Sequence, residues 1–485
     1  MNVKSLALVA FTASLVGVVQ GFQKALILPR LDEDGVRRVV ENGYDGAELR
    51  LHGETVAEAK DARARADRSG VKLHSVMANG WYAFDDEAKY EAALAQAKSE
   101  IALAKAYGVD TLLVVSGSRR SEGKRYLKLT DEEQSAVDAA TRRAFAELIP
   151  IAEEAGVCLA LEFVWNNAWA DPDAYAAFVR SFNSPWVKIY LDLGNGLKFA
   201  PVEKWIAAAG KDIRRVHIKD FLLDPTTPRG GEFVPIATGD IDFAEACAAL
   251  RKVGYDGWVS IESEGWSDAE HARLVDWFFA GAPSGDAVGN WTFDLPDDGR
   301  HRARNERTGW LGIERTAGGF SSRCLWRSAS PWRTPSTEAA GGVVRIVRLN
   351  DGRKKMGECD YDIVRGRAVG DELFAGAFPR RKDGATLSNR PIVFQGRRLP
   401  AIGAAPDLSS LVYGERIDLL KDGLDGWELM SPDRRNGWSF AGGVLSNAVG
   451  YDANGRRTGA YSNLISKRSD FFDFISILYI KHYCI

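Results

Sequence analysis

Arg214-Arg215-Val216-His217-Ile218-Lys219-Asp220-Phe221 is a short apolar run, Val216 and Ile218, that ends in a histidine, a lysine and an aspartate. Alternation over so few residues predicts a buried strand. Charged groups at the end of such a strand are costly in a core unless they are paired or hold a metal. Three further runs close in the same way, 157–162, 187–192 and 258–262, on Glu162, Asp192 and Glu262. Laid side by side and parallel, the four strands bring Glu162, Asp192, His217 and Glu262 to one point. Three carboxylates and one imidazole around a point are the donor set of a divalent cation.

Working outward, short apolar runs alternate with longer amphipathic ones from residue 22 to about 280. The predicted strands are 24–28, 46–50, 71–76, 111–116, 157–162, 187–192, 213–218 and 257–262. The predicted helices are 32–41, 55–68, 85–107, 131–155, 172–181, 202–209, 243–253 and 268–279. Thr130 and the pair Asp171-Pro172 stand where a first helical turn needs a cap, and Gly70, Gly108 and Gly156 suit the left-handed position after a last turn. Eight strand–helix units in roughly 260 residues have the count and size of a (β/α)8 barrel. An open doubly wound sheet fits the alternation less well, because no glycine-rich phosphate fingerprint follows the first strand.

A chain of 485 residues has room for more than one domain. After Gly281 the texture changes: 282–286 is linker-like, and the segment 289–398 alternates with period two between Gly, Asp, Asn and Pro, an all-β reading. A second linker, 400–410, precedes more short strands in 411–485. Net charge is −3, which gives no electrostatic reason to expect nucleic acid. The five cysteines show no paired ligand spacing, and Cys158 and Cys247 fall in apolar contexts that suit small buried thiols. At the N-terminus, Lys4, an apolar run over 5–19 and Val19-Gln20-Gly21 have the shape of a secretory signal peptide. Residues 1–21 are therefore expected to direct export, to a periplasm, and to leave no membrane span once cleaved. The run is shorter than the roughly 18–20 residues that a spanning helix needs.

In a (β/α)8 barrel the C-terminal strand ends surround one mouth, where the chemistry sits. Carboxylate-rich donors there suit one ion of Mn2+, Mg2+ or Co2+, and the single imidazole leaves Zn2+ admissible. Such a cation polarises the oxygens of a hydroxy-carbonyl. Glu162 and Glu262, on opposite sides of the substrate, supply the base and the acid that proton transfer beside a carbonyl requires. The motifs Leu161-Glu162-Phe163, Leu191-Asp192-Leu193-Gly194-Asn195, His217-Ile218-Lys219-Asp220 and Ile261-Glu262 together resemble the xylose isomerase-like barrel superfamily. Its members include sugar isomerases, epimerases, inosose dehydratases and endonuclease IV. The resemblance covers residues 22–280 and implies that Glu162, Asp192, His217 and Glu262 are metal ligands, with Glu162 and Glu262 also catalytic. It implies substrate contacts for Lys219 and Asn195. Where many epimerases carry a histidine, this chain has Asn195, which hydrogen-bonds but shuttles no proton near neutral pH. Six histidines in all are too few for the three-zinc endonuclease branch. His74 and Glu48, near the ends of strands three and two, are expected to line the pocket, and Trp165, with Trp81 and Trp169 on other mouth loops, to offer aromatic faces to a sugar.

Beyond residue 411, Ile417-Asp418-Leu419-Leu420-Lys421-Asp422-Gly423-Leu424-Asp425-Gly426-Trp427 and Gly437-Trp438-Ser439-Phe440 resemble the opening of the 3-keto-disaccharide hydrolase family, a glycoside-hydrolase-16-like jelly roll. Residues 475–485 depart from that pattern, so 411–485 is expected to be an incomplete sandwich without activity of its own. The combined expectation is an exported, metal-dependent keto-sugar isomerase, epimerase or hydratase working through an enediolate in 3-keto-glycoside breakdown. Its partner is a small carbohydrate, and oligomerisation is left open. The competing expectations are a ketose isomerase or inosose dehydratase, and a carbohydrate-binding protein without catalysis.

Overall fold

The computed structural model describes residues 21–117, 128–165, 168–225, 227, 229–281, 285–296, 307–326, 333–349, 359–384 and 391–400, and short pieces between 420 and 466. In chain order the first half runs β1 (Gln23–Leu28), α1 (Glu33–Glu41), β2 (Gly46–Arg50), α2 (Val56–Ser69), β3 (Lys72–Met77), α3 (Tyr90–Tyr107), β4 (Thr111–Val114) and α4 (Asp131–Ala155). It continues β5 (Cys158–Glu162), α5 (Pro172–Arg180), β6 (Val187–Asp192), α6 (Val202–Ala209), β7 (Ile213–Ile218), the hairpin β8 (Asp220–Leu223) and β9 (Gly231–Val234), α7 (Phe243–Lys252), β10 (Trp258–Ile261) and α8 (Asp268–Ala280). Strands β1 to β7 and β10 form a closed parallel barrel in which β10 pairs with β1. The alternation of the sequence is thus realised as a (β/α)8 barrel.

Local chemistry explains the boundaries. Thr55, Thr130 and Ser267 each accept from a backbone N–H three residues on, and Glu58, Glu133 and Glu270 reach back to close the box, satisfying donors that a helix start leaves orphaned. Helix α3 begins at Tyr90 rather than 85, and its N-cap Lys89 makes no side-chain cap bond. The hairpin β8–β9 is an element that the period-two reading of the sequence did not separate from its loop.

Outward-facing strand residues make the main core with the helices: Leu159 and Leu161 from β5, Ile189 and Leu191 from β6, Val259 and Ile261 from β10. Inward positions include Ala160 and Tyr190, which pack with Met77 and Leu113 inside the barrel. Two strands carry an extra residue. On β7 the register passes from Ile189 opposite Ile213 to Tyr190 opposite Arg215, and on β3 from Ala47 opposite Leu73 to Glu48 opposite Ser75. Ile213 and Val216, three apart, therefore both join the outer core, and the bulge switches the face of everything after it.

The second half is one antiparallel sheet of β11 (Gly289–Asp294), β12 (Thr308–Thr316), β13 (Gly319–Leu325), β14 (Ser336–Glu338), β15 (Val343–Leu349), β16 (Tyr361–Val369), β17 (Glu372–Arg380) and β18 (Ile392–Arg398). The spatial order is β13-β12-β11-β18-β17-β16-β15-β14. The sheet curls almost shut: Ser322 on β13 and Thr337 on β14, the end strands, meet through their hydroxyls at 2.7 Å. Trp291, Phe293, Ile346 and Phe394 fill its interior.

This sheet packs on the barrel rather than hanging from a linker. Phe374 is buried in the barrel's own core, edge-on to Trp266 at 5.5 Å. Arg367 donates to the carbonyl of Ile241 at 2.8 Å, Arg365 pairs with Asp240, and Arg273 donates to Gln395 at 2.6 Å. Further on, three two-stranded pairings are described, Trp427–Leu429 with Leu464–Ser466, Trp438–Ala441 with Val444–Asn447, and Gly450–Tyr451 with Arg457–Thr458. The signal-like segment 1–20 and most of the expected incomplete sandwich over 411–485 lie outside the described residues. Among the described residues no helix is long and apolar enough to cross a membrane.

Candidate metal centre and catalytic site

Glu162 ends β5, Asp192 ends β6, His217 is the penultimate residue of β7, and Glu262 follows β10 directly. Inward alternation and the β7 bulge turn all four side chains into the barrel mouth. One donor atom from each lies within 4.8 Å of every other. His217 Nδ1 stands 3.3 Å from Glu262 Oε2, 3.5 Å from Glu162 Oε1 and 3.9 Å from Asp192 Oδ2.

Two observations test whether this set fits a cation. His217 Nδ1 and Asp192 Oδ2 are both fully buried without a hydrogen-bond partner, an expensive condition for polar atoms unless something else binds there. The other ring nitrogen is already committed, with Nε2 lying 2.9 Å from Glu48 Oε2, which also accepts from the Tyr190 hydroxyl at 2.8 Å. A carboxylate on the far nitrogen fixes the tautomer with its proton on Nε2 and turns the Nδ1 lone pair toward the three carboxylates, the usual support of a metal-bound histidine. Asp192 is likewise half engaged: Oδ1 accepts from the backbone N–H groups of Gly194 (2.9 Å) and Asn195 (2.6 Å), which leaves Oδ2 facing the centre. The residues fit a divalent ion, which Glu162, Asp192, His217 and Glu262 would hold.

The charges at the mouth are balanced by neighbours. Lys219 Nζ lies 2.7 Å from Glu262 Oε2 and 3.2 Å from Asp192 Oδ2, and Arg50 lies 3.2 Å from Glu262 Oε1. Gly194 makes room for this lysine, since a Cβ there would stand 2.8 Å from Lys219 Cγ. Burial pushes Glu162 up to about 7, against the pull of the neighbouring His217. Burial also opposes ionisation of Glu262, yet Lys219 and His217 hold it well below the carboxylate range. Burial disfavours a charged His217, but Tyr190, Glu48 and the surrounding carboxylates raise it well above the usual imidazole value, so a cation binding at Nδ1 would displace a proton from it. Glu48 is held down at about 2: burial works against its charge, and His217 outweighs it.

Several residues sit where the sequence did not place them. Glu48 is wholly buried beneath His217 instead of lining the pocket, because its position on β2 lies two residues below the strand's end. His74 is within β3, not at its end. It stacks on Trp258 at 4.6 Å, contacts the hydroxyls of Ser260 (3.0 Å) and Ser75 (2.9 Å), and borders a cavity at the opposite, N-terminal end with Arg215 and Asp110. Asn195 serves Glu162: its Nδ2 donates to Glu162 Oε1 at 3.2 Å and to the carbonyl of Phe163 at 3.0 Å. Trp81 and Trp169 are buried in the helical layer, donating to Glu100 and Asp138 at 2.7 Å each. Trp165 is half-buried at the rim, 4.8 Å from the ring of Phe233, with Lys198 Nζ 4.4 Å over its face. Lys219 is at the mouth. Arg50 and Tyr190 were missed. Both share the inward face with residues that were singled out, Arg50 two places after Glu48 and Tyr190 two places before Asp192, so period-two counting along β2 and β6 was the available signal.

Asp220 ties down the loop above. Its carboxylate accepts from the backbone of Phe221 (2.9 Å), Gly239 (2.8 Å) and Ile241 (3.3 Å), and a Cβ at Gly239 would collide with it.

A family model described as the xylose isomerase-like TIM barrel matches residues 36–280. The L-ribulose-5-phosphate 3-epimerase of Escherichia coli O1:K1 / APEC is 31% identical over 148 residues, 28% of this chain and 50% of that protein. The corresponding epimerase of Salmonella paratyphi C is 30% identical over 143 residues, 28% of this chain and 48% of that one. The chain spans about half the length of the curated relatives it matches. Among solved structures, a xylose isomerase domain protein from Planctomyces limnophilus aligns with a TM-score of 0.45 at 17% identity, over 54% of this chain and 99% of that one.

Proposed function

Because this chain belongs to the xylose isomerase-like TIM barrel family, we propose that it is a divalent-cation-dependent sugar epimerase or isomerase that moves a proton beside the carbonyl of a keto sugar. The observation that carries this reading is the buried His217 Nδ1, which makes no hydrogen bond and faces donor atoms of Glu162, Asp192 and Glu262. The L-ribulose-5-phosphate 3-epimerases that the barrel resembles support the reaction type. A bound cation supplies Lewis-acid stabilisation of negative charge developing on the substrate's oxygens.

The chain's own residues divide the proton work. Glu262, kept ionised by Lys219 and His217, takes the proton from the carbon next to the carbonyl. Glu162, held in place by Asn195 in the same donor cluster, returns a proton to the enediolate from the other side, which inverts the centre. Asn195 holds the Glu162 carboxyl in place, and Lys219 keeps the base's charge compensated. We place the substrate among 3-keto-glycosides, for epimerisation or hydration, on the strength of the hydrolase-like sequence over residues 417–440. Export to a periplasm, from the signal-like residues 1–21, completes the proposal.

The test is proton exchange followed by NMR in deuterated water, with Mn2+ added, across free keto sugars and 3-keto-glycosides. Wild type should exchange the proton at the carbon next to the carbonyl, chelator should stop it, and Glu262→Gln should abolish it while sugar still binds. Exchange that survives either chelation or Glu262→Gln refutes the assignment.

A further inference from the structure

A cavity of about 930 Å3 opens beside the catalytic pair, bordered by Glu262, Lys219 and Arg50 on one side. That volume is near the top of the roughly 300–1,000 Å3 range of pockets that enclose drug-sized ligands, so a single sugar ring leaves most of it unfilled. Its two sides differ in chemistry. The side toward the metal centre is charged. Ser263 and Glu264 follow on from the charged side; the far side is apolar, and part of it comes from outside the barrel, where Pro391, Ile392 and Val393 at the start of β18, with Pro296, line the cavity with Phe233 and Pro235 of the barrel loop.

This wall is fixed in place. Two residues beyond Val393, Gln395 accepts from Arg273 of α8, and it sits opposite Phe374, whose ring is buried in the barrel core. Ile392 is 38% exposed, an unfilled apolar surface at the edge of a site whose other edge is ionic. A sugar hydroxyl set against that wall would lose its water partners and gain none. The part of a ligand that belongs there is therefore apolar.

We propose that the β-sheet of residues 289–398 completes the substrate site, and that its Pro391–Val393 edge with Phe233 forms a subsite for an apolar or aryl aglycone. The substrate is then a glycoside, with its sugar over the metal centre and its aglycone against β18. This deepens the reading above and rests on it for the placement of the sugar. Lys219 Nζ, 4.8 Å from the centre of the Phe233 ring, marks the border between the two halves.

Calorimetric titration of the full chain loaded with Mn2+ tests this, using phenyl and methyl glycosides of glucose, galactose and mannose in both anomers. At least one phenyl glycoside should bind tenfold or more tightly than its methyl partner, and Ile392→Asp should cut that advantage below threefold. Ile392 is at the surface, so the variant should keep its melting temperature; Val393→Asp provides a second probe of the same wall. No phenyl advantage in any pair, or an advantage that survives both substitutions, overturns the proposal. The readout is binding alone, so absent proton exchange with an intact phenyl preference would sink the proposed reaction and leave the subsite standing.

Discussion

Glu48 touches no substrate, yet it should control how well the centre holds its ion. Its Oε2 is within hydrogen-bond distance of both His217 Nε2 and the Tyr190 hydroxyl, at 2.9 and 2.8 Å, with no solvent exposure. Glu48→Gln keeps an oxygen that can accept from Nε2–H but removes the charge, and charge-assisted bonds are roughly twice as strong as neutral ones. Glu48→Leu removes the acceptor altogether and frees the ring to move its proton to Nδ1, the nitrogen the ion needs. Loss of such a supporting group lowers metal affinity about 10–100-fold, which is about 1.4–2.7 kcal/mol. We expect Gln near the lower bound and Leu near the upper. Leu also strands two buried donors at about 1–3 kcal/mol each, so its melting temperature should fall, while that of Gln should hold. Tyr190→Phe, which takes away one donor to Glu48, should weaken the ion only about two- to threefold. The assay is competition for Mn2+ against a chromophoric chelator at neutral pH, on protein shown to be folded by circular dichroism. A folded Glu48→Gln that binds Mn2+ within twofold of wild type would refute the role of the charge, and a folded Glu48→Leu that does so would refute the idea that this side chain sets the tautomer of His217.

Two further perturbations reach other parts of the chain. His271 on α8 is buried with Nε2 unpartnered, and burial pushes it down to about 4 from its ordinary 6.5. The unfolded ring takes up a proton below about 6.5 and the folded one does not until about 4, so stability is lost as pH falls through that window and is unaffected above it. The full effect is about 3 kcal/mol, and His271→Leu should remove it: urea midpoints of the two proteins should diverge steadily from pH 7 down to 4.5, and parallel curves would contradict the account. Phe374→Ala, which empties a buried site between sheet and barrel, should cost about 3–5 kcal/mol; thermal unfolding at an unchanged midpoint would show that the sheet is not anchored there.

How far the sequence could be read depended on whether a feature lies at a strand's end or within it. Glu162, Asp192, His217 and Glu262 were visible because each interrupts an apolar run, and the closed parallel barrel that brings their donor atoms together follows from eight alternations. Glu48 and His74 were visible only as polar residues near strands. Their depth depends on register, and the register of β3 and β7 contains an extra residue that no local pattern reveals. Residues 220–234 were hidden as a hairpin because the stretch, with its Pro225 and Pro228, reads as loop. The seating of the second sheet was illegible for a different reason: Phe374, Arg365 and Arg367 lie on strands whose alternation looks the same whether a face meets its own sheet or a neighbour's barrel.

The bulge in β7 constrains how this chain can change. Ile213 and His217 lie four residues apart, a spacing that plain alternation would put on one face, and the one extra residue sets them on opposite faces. Removing that extra residue would leave a regular strand with the imidazole still directed inward, whereas inserting one more would swing it out among the helices, with an apolar neighbour thrust among the carboxylates in its stead. A related chain one residue shorter here would therefore keep its histidine in the mouth, while one residue longer would misdirect a ligand still present in its sequence.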